Sequence, residues 1–448
     1  MSKIIFSVNA GSSSVKVSVF SAELHKKPAQ IAEAQIDGLT SPPPKLKYTR
    51  GDETISKDSD VGDHVHDQND AWGIILKTLT EDSELPQIRK KEDIAIVCHR
   101  IVHGGNFRAA QVINKSTLHK IEHLNDLAPL HNAPSLEIVK SCMKQLPDAI
   151  NVACFDTQFH ASMPAHVKTY PIDQERAKKN YLRKYGFHGI SYSFITRSVA
   201  EHLKKDLDQL NIIALHLGSG ASACAIKGGR SWDTSMGLTP LAGLPGATRS
   251  GSIDPSLVFH YASDVGKLSP ASTKELHISR AETILNKESG WKALTGTTNF
   301  GAIADESSDD PSHKLAFDLF ADRISAYVGS YYVSLRGQVD ALVFAGGIGE
   351  KSDRLRRTVV ENCACLGFEI DDEKNSAADT GDGAVVREVG SSSTMRGGKV
   401  QKVLICSTDE QFEMARGAAD DPALWTDDDG DETPELTLLR VRSEEGSS

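Results

Sequence analysis

The chain opens with an apolar, β-branched segment, residues 3–8, that runs into a turn of small residues, 9–14. It leaves the turn as residues 15–20, in which valine alternates with polar residues. Period-two alternation on both sides of a Gly/Ser turn predicts a β-hairpin. The turn offers bare backbone and several hydroxyl groups, which is how a loop wraps a phosphate. An ordinary surface hairpin would show the same pattern, so this one copy does not separate the two interpretations.

A second copy of the pattern lies roughly one domain length further along the chain. Residues 211–217 lead into the Gly/Ser turn 218–222. A third glycine turn, residues 346–350, follows the apolar segment 341–345. Two similar hairpins and a late glycine turn predict a duplicated α/β protein that clamps a nucleotide between two lobes. The pattern resembles that of sugar kinases, actin and chaperone ATPases, and it is more specific for a fold than for a function.

The composition limits the classes of protein that fit this pattern. The 448 residues, 39% of them hydrophobic, are enough for two cores. A net charge of −11 without a long basic run argues against binding to nucleic acid or to an anionic membrane. The early first strand and the lack of an apolar run of about 18 residues predict no signal peptide and no membrane span. The seven cysteines lack zinc-site spacing and are expected to be buried, reduced thiols of a cytoplasmic protein.

Periodicity along the chain gives a coarse map of the helices. Helices are predicted at residues 70–79 with a cap at Asn69 or Asp70, and at 116–127, 134–146, 191–203, 311–335, 353–366 and 411–418, with another from Leu257 onward. The proline-containing, highly charged stretch 40–68 is expected to be a solvated loop or a weak edge hairpin. The acidic tail from Asp420 is expected to be a loosely held appendage.

Polar residues follow three of the predicted strands: Arg100, Asp156 and the turn that begins at Gly218. Proteins of the α/β class place ligand sites at the carboxyl ends of strands, so this recurrence predicts a site. A surface ion pair for Arg100 and a helix N-cap for Asp156 are the structural alternatives. The long irregular segment 238–255 contains Arg249, and loops of this kind are usually functional. His188 lies between two glycines, which allow close approach of the backbone.

Eight segments occur in the order found in one enzyme family. They are residues 9–16 (NAGSSSVK), 99–105 (HRIVHGG), 127–132 (LAPLHN), 155–160 (FDTQFH), 183–189 (RKYGFHG), 234–241 (TSMGLTPL), 247–251 (ATRSG) and 346–350 (GGIGE). Along most of residues 3–418 the chain resembles the acetate kinases of the short-chain acyl kinase family.

The resemblance implies a fold and a reaction. The fold is a duplicated, two-lobed α/β fold of the ribonuclease H-like, actin-like ATPase type, with the active site in the interdomain cleft. Residues 1–157 and 410–448 would form the N-terminal lobe, and residues 158–409 the second lobe. The reaction is reversible, direct in-line transfer of the ATP γ-phosphoryl group to acetate, which gives acetyl phosphate and ADP. The family also implies Mg²⁺ or Mn²⁺, a homodimer, and no nucleic-acid or membrane partner.

The resemblance also carries roles to individual positions. The catalytic residues would be Arg100, Asp156, His188 and Arg249, with Arg100 also holding acetate. The pocket for the methyl group would be formed by Val102, Leu130, Phe187 and Pro240. Nucleotide and phosphate would be bound by Ser12, Ser14, Lys16, His216, Gly218, Ser219, Gly220, Asn299, Phe300, Gly347, Ile348 and Lys351. Transition-state support would come from His131 and Asn9, and the metal site from Asn9 and Glu410.

Departures from the family pattern concentrate in the purine pocket. Asn299 and Gly301 stand where the family usually has Asp and Arg, Lys351 where Asn is usual, and Ser219 also where Asn is usual. Ala242 and Ser252 stand where acidic residues are common. Acetate chemistry is therefore expected to be intact, while GTP or pyrophosphate as the phosphoryl partner stays open.

Two further hypotheses fit the same fold. One is a propionate or butyrate kinase, which would differ from an acetate kinase in the size of the acyl pocket. The second is a non-catalytic, actin-like filament protein that uses nucleotide only as a switch. A filament protein would not need Arg100, Asp156, His188 and Arg249 together, so their joint presence favours an enzyme.

Overall fold

A computed structural model describes residues 2–11, 13–62, 65–124, 129–260, 267–270, 272, 278–378, 383–391, 395–396 and 399–425; at 129–131, 395–396 and 399–400 the backbone alone is described. Its contacts divide the chain into two compact units. The first consists of Met1–His99, Glu137–Val152 and Gln411–Ser448, and the second of Arg100–Leu136 and Ala153–Glu410. The lobe boundaries expected from the family resemblance place Arg100 and Asp156 in the N-terminal lobe, whereas this division places both in the second unit.

The chain alternates between strands and helices, as the sequence pattern predicts. The strands are β1 (Lys3–Ala10), β2 (Ser14–Ala22), β3 (Ala29–Asp37), β4 (Lys45–Arg50), β5 (Glu53–Asp60), β6 (Ile94–Ile101), β7 (Gln111–Val112), β8 (Ile150–Phe155), β9 (Asn211–Leu217), β10 (Ala221–Lys227), β11 (Arg230–Thr234), β12 (Ala341–Ala345), β13 (Val386–Glu388), β14 (Met395–Arg396), β15 (Lys399–Val400) and β16 (Lys402–Cys406). The α-helices are α1 (Gln68–Glu81), α2 (Lys115–His123), α3 (Pro129–Gln145), α4 (Ala165–Lys168), α5 (Gln174–Lys179), α6 (Gly189–Leu203), α7 (Leu257–His260), α8 (Arg280–Lys287), α9 (Gly290–Thr295), α10 (Phe300–Ile303), α11 (Pro311–Ser334), α12 (Gly346–Lys351), α13 (Asp353–Asn362), α14 (Asp372–Ala377) and α15 (Glu410–Asp420).

The first unit is built on the N-terminal hairpin. Its strands run in the order β5-β4-β3-β2-β1-β6-β8. β1 and β2 are antiparallel, with Val8 opposite Val17, while β1 is parallel to β6. Because alternate residues of a strand share a face, Phe6 and Val8 of β1 and Val15, Val17 and Val19 of β2 pack into one core. The predicted hairpin is confirmed, and β4 and β5 form the edge hairpin that was one of two expectations for residues 40–68.

Two helix starts differ from the sequence prediction. Asp67, rather than Asn69 or Asp70, caps α1, because its side chain accepts hydrogen bonds from the backbone N–H groups of both those residues. α3 begins at Pro129 and contains Pro134, so the prediction of a new helix at Pro134 is wrong. A proline in the second turn removes only one intrahelical donor, which the rest of a 17-residue helix tolerates.

The second unit contains the second predicted hairpin, β9 and β10, within a sheet of order β11-β10-β9-β12-β16-β13. β12 is parallel to β9 and to β16, and all five of its residues are buried, as is typical of a central parallel strand. Ala345 is in register with His216 on one side and with Cys406 on the other. Three strands therefore end at the same edge of the sheet. α11 begins at Pro311, as its sequence predicts, and Asp310 caps it. Its buried apolar side chains pack into this core.

The cysteine expectation is confirmed at six positions and wrong at one. Cys365 is exposed, and the other six thiols are buried. Cys365 lies in a short 3₁₀ turn after α13, so the helical face that buries Cys363 does not extend to it. Among the described residues, no helix has the length and apolar character that a membrane span requires.

Candidate active site

An ion pair between Arg100 and Asp156 lies at the ends of strands β6 and β8. Arg100 donates from Nε to Oδ1 of Asp156 at 3.1 Å and from Nη2 to Oδ2 at 2.8 Å. Its third nitrogen, Nη1, is 3.3 Å from Oε2 of Glu410. A bidentate pair fixes the plane of the guanidinium and adds orientation to charge. The surface ion pair and the helix N-cap are therefore not what the structure shows for these residues, because Asp156 is only 1% exposed and faces Arg100.

Burial and charge act in opposite directions on the ion pair. Burial raises the pKa of the Asp156 carboxyl, while the Arg100 guanidinium pulls it down. Burial would lower the pKa of Arg100, but Asp156 and Glu410 together raise it above its usual value. Arg100 is thus held charged and oriented by two carboxylates.

His188 begins helix α6 next to this pair. Its backbone is left-handed, with φ 59°, and the N–H of the following Gly189 donates to the Asp156 carbonyl at 2.8 Å. A Cβ at Gly189 would collide with that carbonyl, so only glycine fits there. The glycine after His188 therefore fixes the start of α6 to the end of β8, as the sequence suggested.

A chain of hydrogen bonds reaches the His188 ring. Ser222 Oγ lies 2.8 Å from His188 Nδ1, and Tyr192 Oη lies 2.6 Å from Ser222 Oγ. Each hydroxyl can both donate and accept, so Ser222 can donate to His188 Nδ1 while it accepts from Tyr192. In that order, the proton of a neutral His188 is on Nε2.

His216 lies beside His188, with ring centroids 4.2 Å apart. Burial, the neighbouring His216 and the cations Arg100 and Arg249 lower the pKa of His188 well below its usual value. Burial and Arg100 lower the pKa of His216 to about 4. Ser191 Oγ is 2.7 Å from His216 Nδ1. Both imidazoles are therefore neutral at pH 7, and each has a serine at Nδ1.

Arg249 lies in the loop 238–255, which the sequence predicts to be functional. The loop docks on the turn of the second hairpin, where Ala247 N–H donates to the Ser219 carbonyl at 2.9 Å. A Cβ on Gly220 would lie 3.0 Å from Arg249 Nη1, so the glycine makes room for the guanidinium. Burial and the charge of Arg100 lower the pKa of Arg249. Within the described part of the chain, Arg249 has no carboxylate partner.

The three parallel strand ends of the second unit carry further predicted residues. β9 contains His216 and is followed by Gly218, Ser219 and Gly220. β12 is followed by α12, which contains Gly347, Ile348 and Lys351. The chain after β16 reaches Glu410 at the start of α15. Gly346, with φ +74°, approaches the Leu217 backbone so closely that a side chain would not fit. Glu350 accepts from Thr408 N–H at 3.4 Å, which joins the last two of these strand ends.

The predicted purine residues lie on α10. Asn299 caps this helix, and its Oδ1 accepts from Gly301 N–H at 3.0 Å. Phe300 is buried against Trp291 and Phe320, so its ring belongs to the core and only its backbone could meet a ligand.

The predicted methyl pocket is described in part. Phe187 is buried with Tyr185 and Met236, and Val102 packs against this cluster. Pro240 is buried. The side chains of Leu130 and His131 lie outside the described residues, as does Ser12.

The remaining predicted residues belong to the first unit. Asn9 is opposite Lys16 in the β1–β2 hairpin, and Ser14 starts β2. Lys16 Nζ pairs with Glu33 at 3.0 Å. The turn is closed by Gly11 N–H donating to the Ser14 carbonyl at 2.9 Å.

Sequence reasoning did not identify Ser191, Tyr192 and Ser222 as partners of the two histidines. Tyr192 follows His188 by four residues on α6, a spacing that places both on one face, and this signal was available. No local pattern links Ser222 to His188, because the hydrogen bond joins residues 34 positions apart.

The protein side chains offer few ligands to a metal ion. Among the described residues, no group of three or more His, Cys, Asp or Glu side chains could hold an ion. Mg²⁺ commonly binds through one or two carboxylates together with substrate phosphates and water. Glu410, the first residue of α15 and beside the ion pair, fits that smaller requirement.

Comparison with known proteins identifies the family. The model of the Acetokinase family matches residues 4–416. The chain belongs to the acetokinase family. The probable acetate kinase of Chaetomium globosum is 61% identical, covering 95% of this chain and 99% of the relative. The crystal structure of Porphyromonas gingivalis acetate kinase is 31% identical with a TM-score of 0.74, covering 92% and 98% of the two chains. A propionate kinase from Francisella tularensis is 32% identical with a TM-score of 0.78, covering 93% and 98%.

Acetokinase membership confirms three of the sequence predictions. They are the family, the actin-like α/β fold, and the enzyme class, a phosphotransferase that transfers phosphate to acetate. Membership also makes the non-catalytic filament hypothesis unnecessary. The roles of individual residues remain predictions.

Proposed function

We propose that Arg100, Asp156, His188 and Arg249 carry out the ATP–acetate phosphoryl transfer of the acetokinase family by direct in-line displacement. The observation that carries this is the clustering of two guanidiniums and two neutral imidazoles around one buried carboxylate. Donors of this kind suit a transition state whose negative charge is spread over phosphoryl oxygens.

An acetate oxygen attacks the γ-phosphorus, and the bond from that phosphorus to the β-phosphate oxygen breaks. The products are acetyl phosphate and ADP. Acetate is ionised at pH 7, so no base has to remove a proton from it. Asp156 then acts by holding Arg100, and not as a general base.

The two arginines differ in their surroundings. Arg100 is neutralised by Asp156 and Glu410, while Arg249 keeps its charge for the substrate. His188, neutral with its proton on Nε2, would donate to a phosphoryl oxygen without adding a full charge. Mg²⁺, held by Glu410 and the nucleotide phosphates and with Asn9 as a second predicted ligand residue, would neutralise charge on those phosphates.

Propionate is a second candidate acceptor. The similarity to a propionate kinase structure supports it, and a pocket formed by Val102 and Phe187 discriminates one methylene by only about 1–3 kcal/mol. The phosphoryl donor is proposed to be ATP on the strength of the family, although Asn299 and Lys351 depart from its usual pattern. A homodimer and a cytoplasmic location are likewise proposed from the family resemblance.

The test is a phosphoryl-transfer assay in the acetyl-phosphate-consuming direction. Purified protein receives Mg²⁺ and acetyl phosphate with ADP, GDP, inorganic phosphate or buffer alone. We expect ATP formation with ADP, its loss in Arg249→Ala, and its retention in Arg323→Ala, an exposed arginine on α11 that pairs with Asp322. Transfer to phosphate and not to a diphosphate would contradict the assignment of ATP. Full activity in Arg249→Ala would contradict the proposed role of that residue.

A further inference from the structure

Two exposed histidines converge at the end of α2, a helix to which the proposed reaction assigns no role. His119 and His123 are four residues apart, so they lie one above the other on one face of the helix. Their Nε2 atoms are 3.1 Å apart and their ring centroids 4.4 Å apart. The His119 side chain is 71% exposed.

A hydrogen bond between two exposed imidazoles contributes little, since either ring can bond to water instead. The same distance between the two Nε2 atoms also fits two ligands of one metal ion. With metal–nitrogen distances of about 2.0–2.1 Å, two nitrogens 3.1 Å apart subtend roughly 100° at one ion, between octahedral and tetrahedral angles. The pair thus already has the spacing of two neighbouring ligands.

We propose that His119 and His123 bind one divalent transition-metal ion, of the Zn²⁺, Ni²⁺ or Cu²⁺ class, through their Nε2 atoms. Imidazole nitrogen suits these ions, whereas Mg²⁺ prefers oxygen ligands. This site is therefore chemically distinct from the Mg²⁺ site proposed at Glu410.

The surroundings of the pair are consistent with an open site. Glu122 Oε2 is 4.0 Å from His119 Nδ1, too far for a hydrogen bond, and its negative charge favours a cation bound at the pair. His123 also lines a cavity of about 850 Å³ with Lys120 and Lys179, which leaves room for water ligands. Since no third His, Cys, Asp or Glu joins the pair among the described residues, water completes the coordination and the ion exchanges readily.

Binding has a local mechanical consequence. α2 has nine residues, and the two histidines span its last turn. An ion bound to both histidines would stabilise this last turn against fraying. A helix of nine residues is only marginally stable without tertiary or side-chain support.

The test uses the full-length chain without a histidine tag. NiCl₂ is titrated calorimetrically into wild type, His119→Ala, His123→Ala and, as a control, His202→Ala, an exposed histidine in the last turn of α6. We expect one ion per wild-type chain, affinity weaker by about tenfold or more in both α2 variants, and no change in the control. An excess of MgCl₂ is expected not to displace Ni²⁺. Hydrogen exchange in peptides of α2 is expected to slow on addition of Ni²⁺ in wild type and His202→Ala only.

Two results would overturn the proposal. One is unchanged Ni²⁺ affinity in both His119→Ala and His123→Ala. The other is Ni²⁺ binding without any slowing of exchange in α2. Neither readout depends on phosphoryl transfer, so the metal site and the proposed function can fail independently.

Discussion

Ser222 Oγ lies 2.8 Å from His188 Nδ1 and 2.6 Å from Tyr192 Oη. When the serine accepts from Tyr192 and donates to Nδ1, the proton of a neutral His188 is on Nε2. In Ser222→Ala the ring can adopt either tautomer, and we expect kcat to fall by about tenfold to a hundredfold, less than the loss of a transition-state donor, with KM little changed. Nitrogen NMR of the imidazoles would report the change of tautomer.

The control for this prediction is Ser231→Ala. Ser231 Oγ makes the same kind of contact, 2.7 Å from His160 Nδ1, outside the proposed catalytic group. Equal losses of kcat in the two variants would show that Ser222 has only a structural role.

The half-buried Arg249 and the buried Arg356 should respond in opposite ways to removal of charge. Arg249→Met is expected to lower kcat/KM by a factor of about 10³–10⁵, as for an arginine that stabilises a phosphoryl group during transfer. Its thermal stability should be unchanged or higher, because the substitution removes an unpaired charge. Arg356 donates to the Asn375 side chain and to the carbonyls of Gly349 and Glu350. Arg356→Met should therefore lower stability by several kcal/mol. Differential scanning calorimetry checks both, and a destabilised Arg249→Met would contradict the argument.

Buried neutral histidines should make the fold sensitive to acid. Burial lowers the pKa of His99, His103, His160 and His216 to about 4, against an ordinary value of 6.5. Between these values the unfolded chain binds protons that the folded chain does not. The stability that depends on the neutral rings is therefore fully present above pH 6.5 and is lost as the pH falls toward 4.

His160→Gln isolates one of these contributions. The difference in unfolding free energy between wild type and this variant should shrink by about 2 kcal/mol from pH 7 to pH 5. His202→Gln, an exposed histidine, should run parallel to wild type across the same range. Denaturant unfolding measures both, and a constant difference for His160→Gln would refute the assignment.

Chain-length preference should depend on Val102, which packs against the cluster of Tyr185, Phe187 and Met236. Val102→Ala enlarges the proposed pocket by two methyl groups, so the ratio of kcat/KM for propionate to that for acetate should rise about tenfold or more. Val333→Ala, at a 73% exposed position on α11, is the control and should leave the ratio unchanged. An unchanged ratio in Val102→Ala would place the acyl group elsewhere.

Much of the fold could be predicted from local pattern. The two hairpins and strand β12 follow from alternation and from glycine turns, which are properties of neighbouring residues. The helix starts were predicted less accurately than the strands. The Asp67 side chain accepts the hydrogen bonds from the N–H groups at the start of α1, and α3 continues through Pro134. In the first case the capping residue lies outside the predicted helix, and in the second the helix tolerates Pro134 in its second turn.

The candidate site was predicted less completely, for a physical reason. Arg100 and Asp156 could be identified because each follows an apolar strand, and strand ends meet at one edge of a sheet. Ser222 and Ser191 could not, because their partners are histidines 34 and 25 positions away. Which hydroxyl faces which ring is determined by tertiary packing of α6 on the second hairpin.

Arg249, without a carboxylate partner in the described structure and beside Arg100, also bears on how the protein should be handled. A guanidinium without a carboxylate partner can bind small oxyanions other than the substrate. Sulfate, phosphate and other buffer salts would then compete with acetyl phosphate. Apparent Michaelis constants measured in such buffers would overstate the true values. Variants are better compared in a buffer of an organic amine and chloride, which contains no small oxyanion.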